Sequence, residues 1–121
     1  MREANLAEYV VVAKVVDFRE DIVRVFNVGG EDVAVVSHGG RFHAFQGYCT
    51  HAAYSFNYTR VRPGDQILCS SHFAWFDLAS GQVLSGPAEE DLAQYDVRVE
   101  GDDVLVSDRP LAAERGLPPA S

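Results

Sequence analysis

Cysteine and methionine are scarce in this chain: two and one in 121 residues. Two cysteines allow at most one disulfide, which excludes a small secreted scaffold stapled by several. No apolar run approaches the roughly 20 residues that span a bilayer, and Val10 to Ala13 is stopped by Lys14. The start, Met1-Arg2-Glu3-Ala4-Asn5, lacks the basic stretch and apolar core of an export signal, so the expected location is cytoplasmic. Basic residues are also short, ten against eighteen acids, for a net charge of −8 and a pI near 4.8. Such a surface repels phosphate backbones and anionic lipid, which argues against nucleic acid or a membrane as partner. It favours a partner with a basic docking patch. Five prolines and ten glycines exclude a low-complexity chain, and 47% hydrophobic residues are enough for a core. The length suits one domain.

What is present reads as strands and turns. Tyr9 to Val16 is almost wholly apolar and β-branched, as in a strand covered on both faces. Ile22 to Val28, Val33 to Val36 and Arg41 to Phe45 follow, separated by the Gly29-Gly30 and Gly39-Gly40 turns. Tyr95, Val97 and Val99 alternate with polar residues, and Gly101-Asp102-Asp103 leads into Val104 to Val106, which predicts a hairpin. Glu89 to Ala93 could add one helical turn, although a solvated run is the better account of its acids. Short strands with a turn every eight to twelve residues predict an all-β antiparallel sandwich or barrel. The domain is expected over residues 1–108, with a tail over 109–121 that lacks apolar periodicity.

Both cysteines sit beside a histidine. Cys49-Thr50-His51 and Cys69-Ser70-Ser71-His72 are separated by residues 52–68, so the pattern is C-x-H, then C-x-x-H. Thiolate and imidazole are ligands common to zinc and to iron–sulfur clusters. Each short spacing lets one loop present a sulfur and a nitrogen together. Structural zinc usually pairs Cys with Cys and His with His. A two-iron cluster with one iron on two sulfurs and the other on two nitrogens needs one of each from both loops. The remaining histidines, His38 in a predicted turn and His43 in a predicted strand, read as structural or solvated.

The segment over residues 46–88 resembles the cluster-binding region of Rieske [2Fe–2S] proteins. The resemblance implies one cluster, with Cys49 and Cys69 on the inner iron and His51 and His72 on the outer one. It implies a cluster-binding subdomain built from two loops and a third, proline-containing loop at Gly86-Pro87-Ala88. Family members of the respiratory and photosynthetic complexes add two cysteines and a serine and tyrosine that donate hydrogen bonds. Here no cysteine remains for such a bond, and Ala74 and Phe76 replace the donors. The chain is therefore similar to the low-potential ferredoxin branch.

That branch implies a one-electron carrier, itself no enzyme. Its partners would be a flavin-dependent ferredoxin reductase and a terminal oxygenase such as an aromatic-ring dioxygenase, docking near His51 and His72. Ala52, Ala53, Tyr54, Phe73 and Pro87 would supply the apolar contact there. A small subunit of a redox enzyme such as nitrite reductase shows a similar pattern, and a structural zinc module is a third reading. An oxygenase proper needs a further iron on two histidines and a carboxylate. Only His38 and His43 are left, with no second domain to house it.

Overall fold

A computed structural model describes residues 8–50, 54–69, 73–86 and 90–111. Its nine strands are β1 Tyr9–Lys14, β2 Arg24–Val28, β3 Glu31–His38, β4 Arg41–Gln46, β5 Gln66–Cys69, β6 Ala74–Asp77, β7 Val83–Ser85, β8 Gln94–Glu100 and β9 Asp103–Pro110. They form a six-stranded sheet, ordered β1-β9-β8-β4-β3-β2, and a three-stranded sheet, β5-β6-β7. Every pair of named strands is antiparallel, and the edge strands β1 and β2 approach each other, so the larger sheet nearly closes. The fold is all-β, as the turn spacing predicted. Among the described residues the one helical element is a 3-10 turn over Val15–Asp17, where the Lys14 N–H donates to the Asp17 carboxylate.

The run Val33-Ala34-Val35-Val36 is fully buried, and its alternation explains how. Successive side chains of a strand point to opposite faces. Val33 and Val35 join Val28, Ala44, Tyr95, Val104 and Val106 inside the larger sheet. Ala34 and Val36 join Phe45, Phe56, Ile67, Phe76 and Leu92 in a second core, beneath the smaller sheet. The β3–β4 hairpin is thus the wall between two apolar layers.

Three expectations differ from the structure. The run from Tyr9 is not covered on both faces: Val10 and Val11 are 37% and 53% exposed, because β1 is an edge strand bonded only to β9. His38 ends β3 rather than lying in the turn. Glu90 to Ala93 is irregular, pinned by bonds from the Leu92 N–H to the Gly81 carbonyl and from the Val83 N–H to the Asp91 carboxylate. Those bonds compete with the local ones a helical turn would need. At the other end β9 runs through Pro110, and the Leu111 N–H bonds the Gln94 carbonyl. Residues 112–121 of the expected tail lie outside the described residues.

Candidate metal centre

Cys49 follows β4 by three residues, and two contacts fix where it lies. The Gly47 N–H donates to the Asp32 carbonyl, and a Cβ at Gly47 would stand 2.7 Å from that same oxygen. Only glycine lets the chain leave β4 so close to β3. Past it, the Cys49 N–H bonds the Tyr54 carbonyl at 2.9 Å, and Tyr48 bridges Ser55. The first loop is closed at its base by these bonds. Thr50 Oγ1 donates to the Glu90 carbonyl at 2.7 Å and ties this loop to the segment before β8.

The second cysteine ends β5, opposite Ala74, the first residue of β6. The Phe73 N–H donates to the Cys69 carbonyl at 2.7 Å and closes the second loop in the same manner. Phe73 takes a left-handed φ of 59° and is 68% exposed. Gly86 then brings the third segment against it. A Cβ there would lie 2.6 Å from both Ala74 Cα and the Phe73 carbonyl oxygen, and its φ of 97° also requires glycine.

The two cysteines so placed are 1% and 0% exposed and belong to one apolar core with Phe56, Ile67, Ala74 and Phe76. His51 and His72 lie outside the described residues, as do Ala52, Ala53, Pro87, Ala88 and Glu89. Of the four expected ligands the structure describes the two cysteines, and both belong to that one core. Ala74 and Phe76, where hydroxyl donors were expected to be missing, are both fully buried and add no donor to this interior.

His38 and His43 lie on β3 and β4, outside these loops. His38 is held between Asp21 and Asp65 at 2.6 and 2.7 Å. His43 is half-buried on β4, and burial, then the charges of His38 and Arg41, push its pKa below the ordinary value. Sequence reading missed the Asp21–His38–Asp65 arrangement because its members are 17 and 27 residues apart. It also read Asp91 as solvated, whereas its carboxylate accepts from the backbone of β7.

Two loops thus each lead one cysteine into a shared apolar core on an all-β frame. The chain belongs to the Rieske [2Fe–2S] domain family, which matches residues 8–96. The ferredoxin component of the alkene monooxygenase system of Xanthobacter autotrophicus is 36% identical over 112 residues, 93% of this chain and 91% of the relative. The ferredoxin of carbazole 1,9a-dioxygenase from Nocardioides aromaticivorans superposes with a TM-score of 0.79 at 27% identity, covering 85% of this chain and all of the other. A ferredoxin solved in complex with the oxygenase of carbazole 1,9a-dioxygenase superposes at 0.77 with 28% identity, over 84% of this chain and 94% of its own.

The protein is a Rieske-type ferredoxin with one [2Fe–2S] cluster. The residues present fit that group. A buried thiol in apolar surroundings is a soft donor screened from water, and two of them converge in one core. Among the described residues, no helix is long and apolar enough to cross a membrane.

Proposed function

We propose that Cys49, His51, Cys69 and His72 hold the cluster, and that the chain carries single electrons from a flavin-dependent reductase to a terminal oxygenase. The observation that carries this reading is the burial of both thiols in one core, each at the mouth of a loop closed by a backbone bond. Each thiol is followed in sequence by a histidine, at one and two residues' interval. Kinship along nearly the whole chain to a ferredoxin component of an oxygenase system supports the carrier role. When bound, the cluster accepts one electron and gives it up again.

The protein's own residues do the rest. The core around Cys49 and Cys69 keeps both residues from water, and Gly86 packs against the backbone of Phe73 and Ala74. Ala74 and Phe76 offer no hydroxyl to the sulfurs, which leaves the reduced, more negative state less stabilised and keeps the potential low. Tyr54 and Phe73, 40% and 68% exposed, flank the two closures and suit a small apolar contact of the kind a transient partner makes. Docking is therefore placed at the loops that contain His51 and His72. The fold is read as a single domain located in the cytoplasm.

Stopped-flow mixing tests the reading. The purified holoprotein, bleached by a flavin reductase, should regain its visible band when mixed with the oxidised terminal oxygenase of a ring-hydroxylating or alkene-oxidising system. A colourless protein holding zinc, or a band that no such oxygenase restores, would sink it.

A further inference from the structure

His38 lies outside the proposed ligand set, yet among the described residues it is held by carboxylates on both ring nitrogens. Nδ1 of His38 lies 2.6 Å from Asp21 Oδ1, and Nε2 lies 2.7 Å from Asp65 Oδ1. An ionised carboxylate only accepts hydrogen bonds, and a neutral imidazole has a single N–H. A neutral ring would therefore set a lone pair against one of the two carboxylates. The Asp65 side chain is 67% exposed. Two ionised carboxylates are both satisfied only by a ring that carries protons on both nitrogens, an imidazolium.

The two acids come from separate parts of the fold. Asp21 lies before β2, where its N–H donates to the Ser37 carbonyl and its carbonyl accepts from the Val61 N–H. Asp65 has a left-handed φ of 60° in the turn that enters β5, and its carbonyl accepts from the Leu78 N–H at the end of β6. It thus fixes the end of the smaller sheet opposite to the one bearing Cys69. The ring itself ends β3 of the larger sheet. We propose that His38, as an imidazolium, is a proton-dependent tie that holds the β5–β6 sheet carrying Cys69 against the larger sheet.

The groups facing this ring agree with a charged state. Glu20 adds a further carboxylate from the same segment as Asp21, held by the Ser37 hydroxyl and the Gly39 N–H. From β4, Arg41 stands opposite His38 in register, and the His43 ring lies 6.4 Å away. The hydrogen bond to Asp21, then that to Asp65, raises the His38 pKa above its ordinary value. The lowered pKa of His43 leaves it neutral beside the cation, with Asp65 and Asp77 acting weakly the other way. Glu20, Asp21 and His38 would also suit a divalent cation by spacing. Both ring nitrogens and the Glu20 carboxylate already have partners, so the proton is the occupant that the geometry favours.

The sign of the pH dependence follows. A histidine whose folded pKa is raised contributes fully below its unfolded pKa, about 6.5, and loses that contribution as pH rises through the folded value. The test compares holoprotein with His38→Gln and Asp65→Asn from about pH 6 to about pH 9.5. The readouts are the thermal midpoint and the loss of the visible band in excess chelator, the latter resting on the cluster reading above. His38→Gln should melt lower and lose its band severalfold faster at the acid end, with both differences closing at the alkaline end. Asp65→Asn should show a smaller gap of the same sign, and it carries the test if the glutamine variant does not assemble. A gap equal at every pH, a gap that widens with pH, or an Asp65→Asn protein indistinguishable from wild type would overturn the tie. Absence of colour in wild type would instead overturn the cluster reading, so the two failures are distinct.

Discussion

Cys49 and Cys69 satisfy two demands with one atom each. As packed groups they fill an apolar core; as thiolates, in the proposed ligand set, they would be shielded by it. Serine answers neither demand, since its hydroxyl is a poor ligand for iron and an unpaired polar group in that interior. Cys49→Ser and Cys69→Ser should each yield protein without visible absorbance or stoichiometric iron, and with a lower thermal midpoint, because binding and folding are coupled in small metal sites. Iron assay and circular dichroism check this; a full iron content in either variant would remove that residue from the ligand set. His43→Ala should keep both colour and iron, as its ring packs on β4 and titrates low through burial. The Cys–His pairs proposed as ligands stand out in the sequence because each is written within three or four consecutive residues. His38 does not: nothing near it in sequence announces Asp21 or Asp65, and only the fold brings them together.

Strands were legible where alternation or β-branched runs were strong, as in the β3–β4 and β8–β9 hairpins. Whether a run is buried on one face or both was not, because burial depends on neighbours. The valines of β3 lie between two cores, whereas Val10 and Val11, equally β-branched, sit on an edge. The smaller sheet escaped notice because its strands are only three or four residues long and lie among the ligand loops. Its contact with the third segment depends on Gly86. Gly86→Ala adds a methyl 2.6 Å from the backbone of Phe73 and Ala74 and strains a φ of 97°. We expect a loss of about 1–3 kcal/mol by overpacking, together with faster loss of the visible band as the segment lifts from the second loop. Gly101→Ala is the control. Its φ is 62° with no atom within 4 Å of the added carbon, so it bears the conformational cost alone, about 1–2 kcal/mol. Equal band stability in the two variants would show that the Gly86 contact does not protect the site.

At the scale of the whole molecule, the net charge of −8 is the property that partners meet first. Among the described residues several acids are already engaged: Asp17 caps the 3-10 turn, Asp91 holds β7, and Asp21 and Asp65 grip His38. Others, such as Glu31 and Asp102, lie exposed and contribute to the field around the protein. Such a field steers an oppositely charged partner and acts on the encounter rate more than on the strength of the final contact. The apolar side chains beside the loop closures, Tyr54 and Phe73, would act only after encounter and respond little to salt. The screening length falls from about 10 Å at 0.1 M salt to about 3 Å at 1 M. Raising ionic strength across that range should therefore slow the second-order reoxidation of the reduced protein by its oxygenase by roughly tenfold or more, as expected for steered association. Stopped-flow rates measured at constant pH decide it. A rate that does not change with salt would mean that the acidic surface only keeps the protein in solution, and that docking rests on the apolar contact alone.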